Sequence, residues 1–140
     1  MFPTLIHYQR NDSPGWKIRD WDTANKLLGY LDPQVRPFAV FTLPNNSYAQ
    51  CLGSKRRLTV EVREYAADGS FTHWVFGRGP LSGHSDTIEV STGAVTVDTS
   101  QLLTMRDARL IIRPFLELQS FPTTYSRHDV TARFALNRNA

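Results

Sequence analysis

The stretch RLTVEVREYAADGSFTHW, Arg57 to Trp74, constrains the fold more than any other part of the chain. Apolar and polar side chains alternate along it, the period of a half-buried strand. Asp68-Gly69 supplies turn chemistry, and the chain returns through Phe71, His73 and Trp74. Leu58, Val60 and Val62 are expected to face a core, which sends Thr59, Glu61, Arg63 and Tyr65 to the other side. Loop length decides the return strand. A three-residue loop, Ala67-Asp68-Gly69, makes a type I turn closed by a left-handed glycine. Ala66 then pairs with Ser70, Arg63 with His73 and Glu61 with Val75, and Trp74 and Phe76 turn inward. A two- or four-residue loop reverses every side, burying His73 and exposing Trp74. Burying the two large aromatics removes more apolar area from water, and a buried His73 needs a hydrogen-bond partner. The three-residue loop is therefore the expectation, with Glu61, Arg63, Tyr65, Phe71 and His73 forming one outward patch.

A lone hairpin is not stable in water, so the rest of the chain must supply cover. Thr4 to Tyr8 reads as a first strand and Asn11 to Gly15 as a turn. Apolar residues at Trp21, Ala24, Leu27, Leu28 and Leu31 have helical spacing, with Asp20 as N-cap and Asp32-Pro33 as the stop. Pro37 to Leu43 and SYAQCLG, Ser47 to Gly53, read as strands. Thr87 to Val90 and Ala94 to Asp98 form a hairpin around Ser91-Thr92-Gly93. Met105, Ala108, Ile111, Ile112, Phe115 and Leu116 share a second helical face. Thr104 and Asp107 resemble a capping box there, and Pro114 should kink that helix or end it early. The polar tail beyond Pro122 adds at most a short edge strand. This order predicts an α+β fold: an antiparallel, meander-like sheet of about five to seven strands with two helices packed on one face.

At 140 residues the chain is most simply one domain, residues 1–140, large enough to need neither disulfide nor metal. Its net charge of +3 is spread out, and the only tight basic cluster is Lys55-Arg56-Arg57. The single cysteine, Cys51, sits in an apolar run and reads as a small buried residue. With no signal-peptide pattern and no long apolar run, the expected location is the cytoplasm.

The sequence motifs argue against more chemistry than they support. No G-x-S-x-G elbow surrounds a serine, and the neighbours His84-Ser85-Asp86 point to different sides of an extended chain. His7, His73, His84 and His128 show no ligand spacing, and Gly77-Arg78-Gly79 lacks the rest of a phosphate loop. No cofactor is expected. Glu61 beside Arg63 suits an ion pair or an interface better than a proton shuttle. The loop Gly77 to Asp86, rich in glycine, is expected to be exposed and mobile, and to offer Arg78 and His84 to a partner.

SYAQCLGSKRRLTVEVREY resembles a pattern of bacterial immunity proteins from polymorphic toxin systems. There, a strand S-Y-x-Q-x-x-G leads through a short link into L-T-V-E-x-R-E. Here the pattern falls on Ser47, Tyr48, Gln50, Gly53, Leu58, Thr59, Val60, Glu61, Arg63 and Glu64. Trp21, Leu27 and Leu28 match an upstream helix, and Asp107, Ala108, Ile111 and, one residue out of step, Phe115 match a downstream D-A-x-x-I-x-x-F helix, so the likeness spans most of Trp21 to Tyr125. It looks most like the first-numbered immunity family or a close cousin, although that family's usual tryptophan after the last helix is absent here, with Tyr125 nearest. The resemblance implies a small α+β cytoplasmic antitoxin that binds a cognate toxin domain one-to-one and blocks its active site, with nucleases and nucleic-acid deaminases among the toxins. Glu61, Arg63, Tyr65, Phe71, His73, Arg78 and His84 are the candidate contacts. Two other readings stay open: a small hydrolase or transferase using the Gly77 to Asp86 loop with His73 and Glu61, and a nucleic-acid-binding domain using Lys55, Arg56, Arg57 and Arg63.

Overall fold

The structure is a computed structural model describing residues 1–134. Its strands are β1 (Ile6–Arg10), β2 (Ser13–Ile18), β3 (Phe38–Thr42), β4 (Tyr48–Ser54), β5 (Arg57–Tyr65), β6 (Phe71–Gly77), β7 (Ser85–Val90), β8 (Gly93–Asp98) and β9 (Ser126–Asp129). Helix α1 spans Trp21–Leu28 and helix α2 spans Met105–Leu118. Seven strands form one antiparallel sheet in the order β2-β1-β3-β4-β5-β6-β9, and β7 and β8 pair only with each other. The α+β expectation holds. The hairpin of β7 and β8 lies outside the main sheet rather than extending it.

Both helices pack on one sheet face. Leu28 of α1 and Ile111, Ile112 and Phe115 of α2 join Ile6, Phe41, Cys51, Val60, Val62 and Phe76 in a continuous buried cluster. Burial pushes the Cys51 thiol up to about 12, so it behaves as a small apolar residue there. Asp20 caps α1 by accepting the Thr23 amide at 2.8 Å. That helix ends at Gly29, before Asp32-Pro33; the Asp32 carboxylate instead accepts the Gln34 and Val35 amides in a turn. The Thr104–Asp107 capping box is present at the start of α2. Pro114 does not end α2. Its missing N–H leaves the Leu110 carbonyl without that bond, but Leu110 is half exposed, and Phe115 and Leu116 beyond the proline are buried.

The stretch read as a turn at Asn11 to Gly15 holds the start of a strand, β2. Proline is tolerated there because β2 is the outer strand, where Pro14 removes no inner ladder bond. Gly15 is fixed by geometry: its φ is +93°, and a Cβ would lie 2.3 Å from the Tyr8 carbonyl oxygen.

The β5–β6 register is the one expected from a three-residue loop. Arg63 faces His73, Glu61 faces Val75, and Ala66 N–H donates to Ser70 O at 2.8 Å, with Gly69 at φ +87°. Phe76 is fully buried, whereas Trp74 is only half-buried; its indole N–H donates to Glu64 at 3.3 Å and Arg127 covers its ring. The expected edge strand in the tail is β9, which covers β6; residues 135–140 of that tail lie outside the described residues.

Candidate interaction face

The sheet face away from the helices is covered in two places. At one end, Ile88, Val90 and Val97 of the hairpin form a small second core with Leu52 and Leu102. Thr59, paired with Leu52, is buried there rather than outward in solvent. At the other end, a turn after β9 brings Phe134 back over β6.

Between these covers β4 and β5 set their side chains in direct opposition: Tyr48 faces Arg63 and Gln50 faces Glu61. Arg63 is the centre. Its guanidinium lies 4.0 Å from the Phe71 ring centroid, 4.3 Å from Phe134 and 5.6 Å from Tyr48. Each such stack contributes about 0.5–2 kcal/mol, more as water is excluded. Arg63 Nε–H donates to His73 Nδ1 at 3.1 Å. That nitrogen must carry a lone pair, because arginine can only donate. The proton therefore sits on Nε2, which donates to Glu61 Oε1 at 2.9 Å.

This arrangement corrects one expectation. His73 lies on the outward sheet face, yet it is 3% exposed, enclosed by its neighbours and by Phe134, with rings 4.6 Å apart. The hydrogen-bond partners that its burial requires are Glu61 and Arg63. Tyr48, Glu61, Arg63, Tyr65 and Phe71 are each half-buried on this face. Tyr48 and Phe134 were not among the sequence candidates. Tyr48 was legible in principle, since a two-residue Lys55-Arg56 turn puts it opposite Arg63. Phe134 had no sequence signal for the surface it covers.

Arg78 and His84 do not join this patch. Arg78 turns to the start of α2, where its guanidinium pairs with the buried Asp107 carboxylate. Asp107 also accepts the Tyr125 hydroxyl at 2.7 Å and the Thr104 amide at 2.8 Å. Burial alone would raise the Asp107 carboxyl, but the hydrogen bonds from Tyr125, Arg78 and Thr104 outweigh it and hold it at about 2. Burial, and then the bond to Asp107, push the Tyr125 phenol up to about 12. The Gly77 to Asp86 loop is largely exposed, as expected, and hydrogen bonds link it to the rest of the chain. Ser82 and Gly83 amides donate to the Asp98 carboxylate at 2.9 and 3.0 Å, and His128 Nε2 donates to Gly79 O at 2.9 Å. Bonds from Ser100 and Ser82 hold Asp98 well below the usual carboxylate range. His84 is exposed at the base of the hairpin.

The two rival site sets are dispersed. His73 and Gly77 are four residues apart on β6, roughly 13 Å, and both His73 ring nitrogens are engaged. Arg57 is paired with Asp86 at 2.7 Å and lies six residues, roughly 20 Å, along β5 from Arg63. Among the described residues no group of three His, Cys, Asp or Glu side chains is placed to hold a metal ion, and no helix is long and apolar enough to cross a membrane. No protein-family model matches the chain, and no curated protein is significantly similar to it.

Proposed function

We propose that this chain is an immunity protein, a non-catalytic binder that neutralises a secreted bacterial toxin domain in a one-to-one complex in the cytoplasm. The sheet face around Arg63 is the contact surface, and it acts by covering the toxin's active site. One observation carries this reading. The residues that resemble the immunity pattern divide into two sets once folded. Ser47, Gly53, Leu58, Thr59 and Val60 serve the fold, as does Glu64, which accepts the Trp74 indole N–H on the helix-covered side. The Ser47 hydroxyl accepts the Tyr65 amide at 3.0 Å, and a Cβ on Gly53 would lie 2.4 Å from the Arg57 carbonyl oxygen. Leu58 and Val60 are core. Tyr48, Gln50, Glu61 and Arg63 instead stand side by side on the face without helices. Glu61 and Arg63 also supply the hydrogen-bond partners of buried His73, and a stacked arginine left half-exposed beside Tyr48 and Gln50 suits an interface.

The chemistry fits a binding role. Interface anchors are enriched in Tyr and Arg, and rigid aromatic walls spare the arginine much of its ordering entropy on binding. Coexpression with the toxin encoded beside this gene tests the proposal. Growth should be rescued, and the two proteins should co-purify one-to-one with an interface of at least ~1,000 Å². Full toxicity in the presence of soluble, folded protein would refute it.

A further inference from the structure

The basic cluster Lys55-Arg56 takes no part in the Arg63 face. It forms the turn between β4 and β5, at the far end of β4 from Tyr48, roughly 20 Å away. There it borders an open groove with Tyr30, Asp32, Pro33 and Arg36, where the chain leaving α1 passes the turn. Lys55 and Arg56 are exposed, and among the described residues neither side chain has a hydrogen-bonded or ion-paired partner. Arg36 is held in place: its Nε–H donates to Tyr30 O at 3.2 Å and its guanidinium lies 5.7 Å from the Tyr30 ring centroid. The Arg10 guanidinium lies 6.0 Å from the same ring centroid, and Tyr30 still keeps 52% of its surface exposed beside the cations.

We infer that this groove is a second docking site, one that takes a short acidic segment of a protein partner, with two carboxylates seated on Arg36, Lys55 and Arg56 and an apolar side chain on Tyr30. The charge count selects this ligand. Three cations line the groove against one carboxylate, Asp32, whose Oδ1 is already committed to the Gln34 and Val35 amides. The surplus is two positive charges, which two carboxylates neutralise. A nucleic-acid track draws on roughly six to ten phosphate contacts, and this groove offers half of that at most. Asp12, 3.8 Å from Arg36, and the Asp86 pair on Arg57 close the basic surface off on either side.

The inference does not depend on the Arg63 face, and its test is separate. A fluorescein-labelled peptide of tyrosine followed by alternating glutamate and glycine is titrated into the full chain, with a labelled twelve-nucleotide single-stranded DNA as comparison. The expected result is peptide binding that a Lys55→Glu/Arg56→Glu variant weakens by about tenfold or more, the summed effect of two reversed exposed charges. The Arg63→Ala variant should bind the peptide like the parent. The double variant changes only exposed, unpaired side chains, and its circular dichroism should match the parent. Peptide binding that is absent, that survives the double reversal, or that disappears equally in Arg63→Ala would overturn the proposal. So would tighter, reversal-sensitive binding of the DNA, which would assign the groove to nucleic acid.

Discussion

The two faces of the seven-stranded sheet are built from the same strands and solve opposite problems. Under the helices, alternate residues of β1, β3, β4, β5 and β6 meet α1 and α2 in one unbroken apolar cluster. Across the sheet, among the described residues, the intervening side chains meet a small hairpin core at one end and Phe134 at the other. Between these covers a polar chain, Glu61–His73–Arg63, runs among aromatic rings. The first face is held by area removed from water, which is non-directional and tolerant of exchange among similar side chains. The second depends on directed bonds and a stacked cation, whose strength grows when a partner excludes water. One face specifies the fold, and the other is the face proposed for contact with a partner.

The largest effect should come from the helix-covered face. Phe76→Ala empties a fully buried site in the main cluster and should lower unfolding free energy by about 3–5 kcal/mol in urea denaturation. Trp74→Ala, on the same face but half-buried, should cost clearly less. A larger loss for Trp74 than for Phe76 would mean that the edge by β9 is more tightly packed than its exposure indicates.

Asp107 sharpens the contrast, because it is a polar group serving the helix-covered side. Asp107→Asn weakens the α2 cap and the bonds to Tyr125 and Arg78, and should cost about 2 kcal/mol near neutral pH. The folded-state carboxyl titrates at about 2, below the unfolded value of about 3.9. Its stabilisation is therefore complete above about pH 4 and lost as pH falls through about 2. The stability gap between parent and Asp107→Asn should shrink across that window. A gap that is constant from pH 5 to pH 2 would show that the carboxylate charge is not what holds the cap.

On the open face the effects on stability should be small. Arg63→Ala removes stacking on Phe71 and Phe134 and the bond to His73, and should cost about 1.5 kcal/mol. In nitrogen-15 spectra His73 should show the Nε2–H tautomer in the parent, and the variant should lose that fixed preference. An Nδ1–H signal in the parent would remove the Arg63–His73 bond from the account.

What was legible in the sequence follows the same division. The β5–β6 register could be read because a single left-handed glycine, Gly69, sets the loop, and a shift by one residue would have exposed Phe76. The caps at Asp20 and at Thr104 with Asp107 could be read because capping is local. Strand β2 was not legible: Pro14 and Gly15 spell a turn, and only its place at the sheet edge makes them acceptable. His73 was assigned to the correct face but not to the correct environment, because its burial comes from Phe134, sixty-one residues away in the chain. The pairing of Arg78 with Asp107 was not legible for the same reason, since glycine content says nothing of the distant carboxylates that Asp98 and Asp107 bring to the loop.

The central claim is that the Arg63 face binds a toxin domain while the opposite face holds the fold. Calorimetric titration of the purified partner domain against the parent and an Arg63→Glu variant tests it most directly, with melting temperature measured for both. The account predicts one-to-one binding by the parent and affinity about a hundredfold weaker for the variant, roughly 2.7 kcal/mol, with the melting temperature lowered by only a few degrees. An Arg63→Glu protein that binds the partner as tightly as the parent would contradict it.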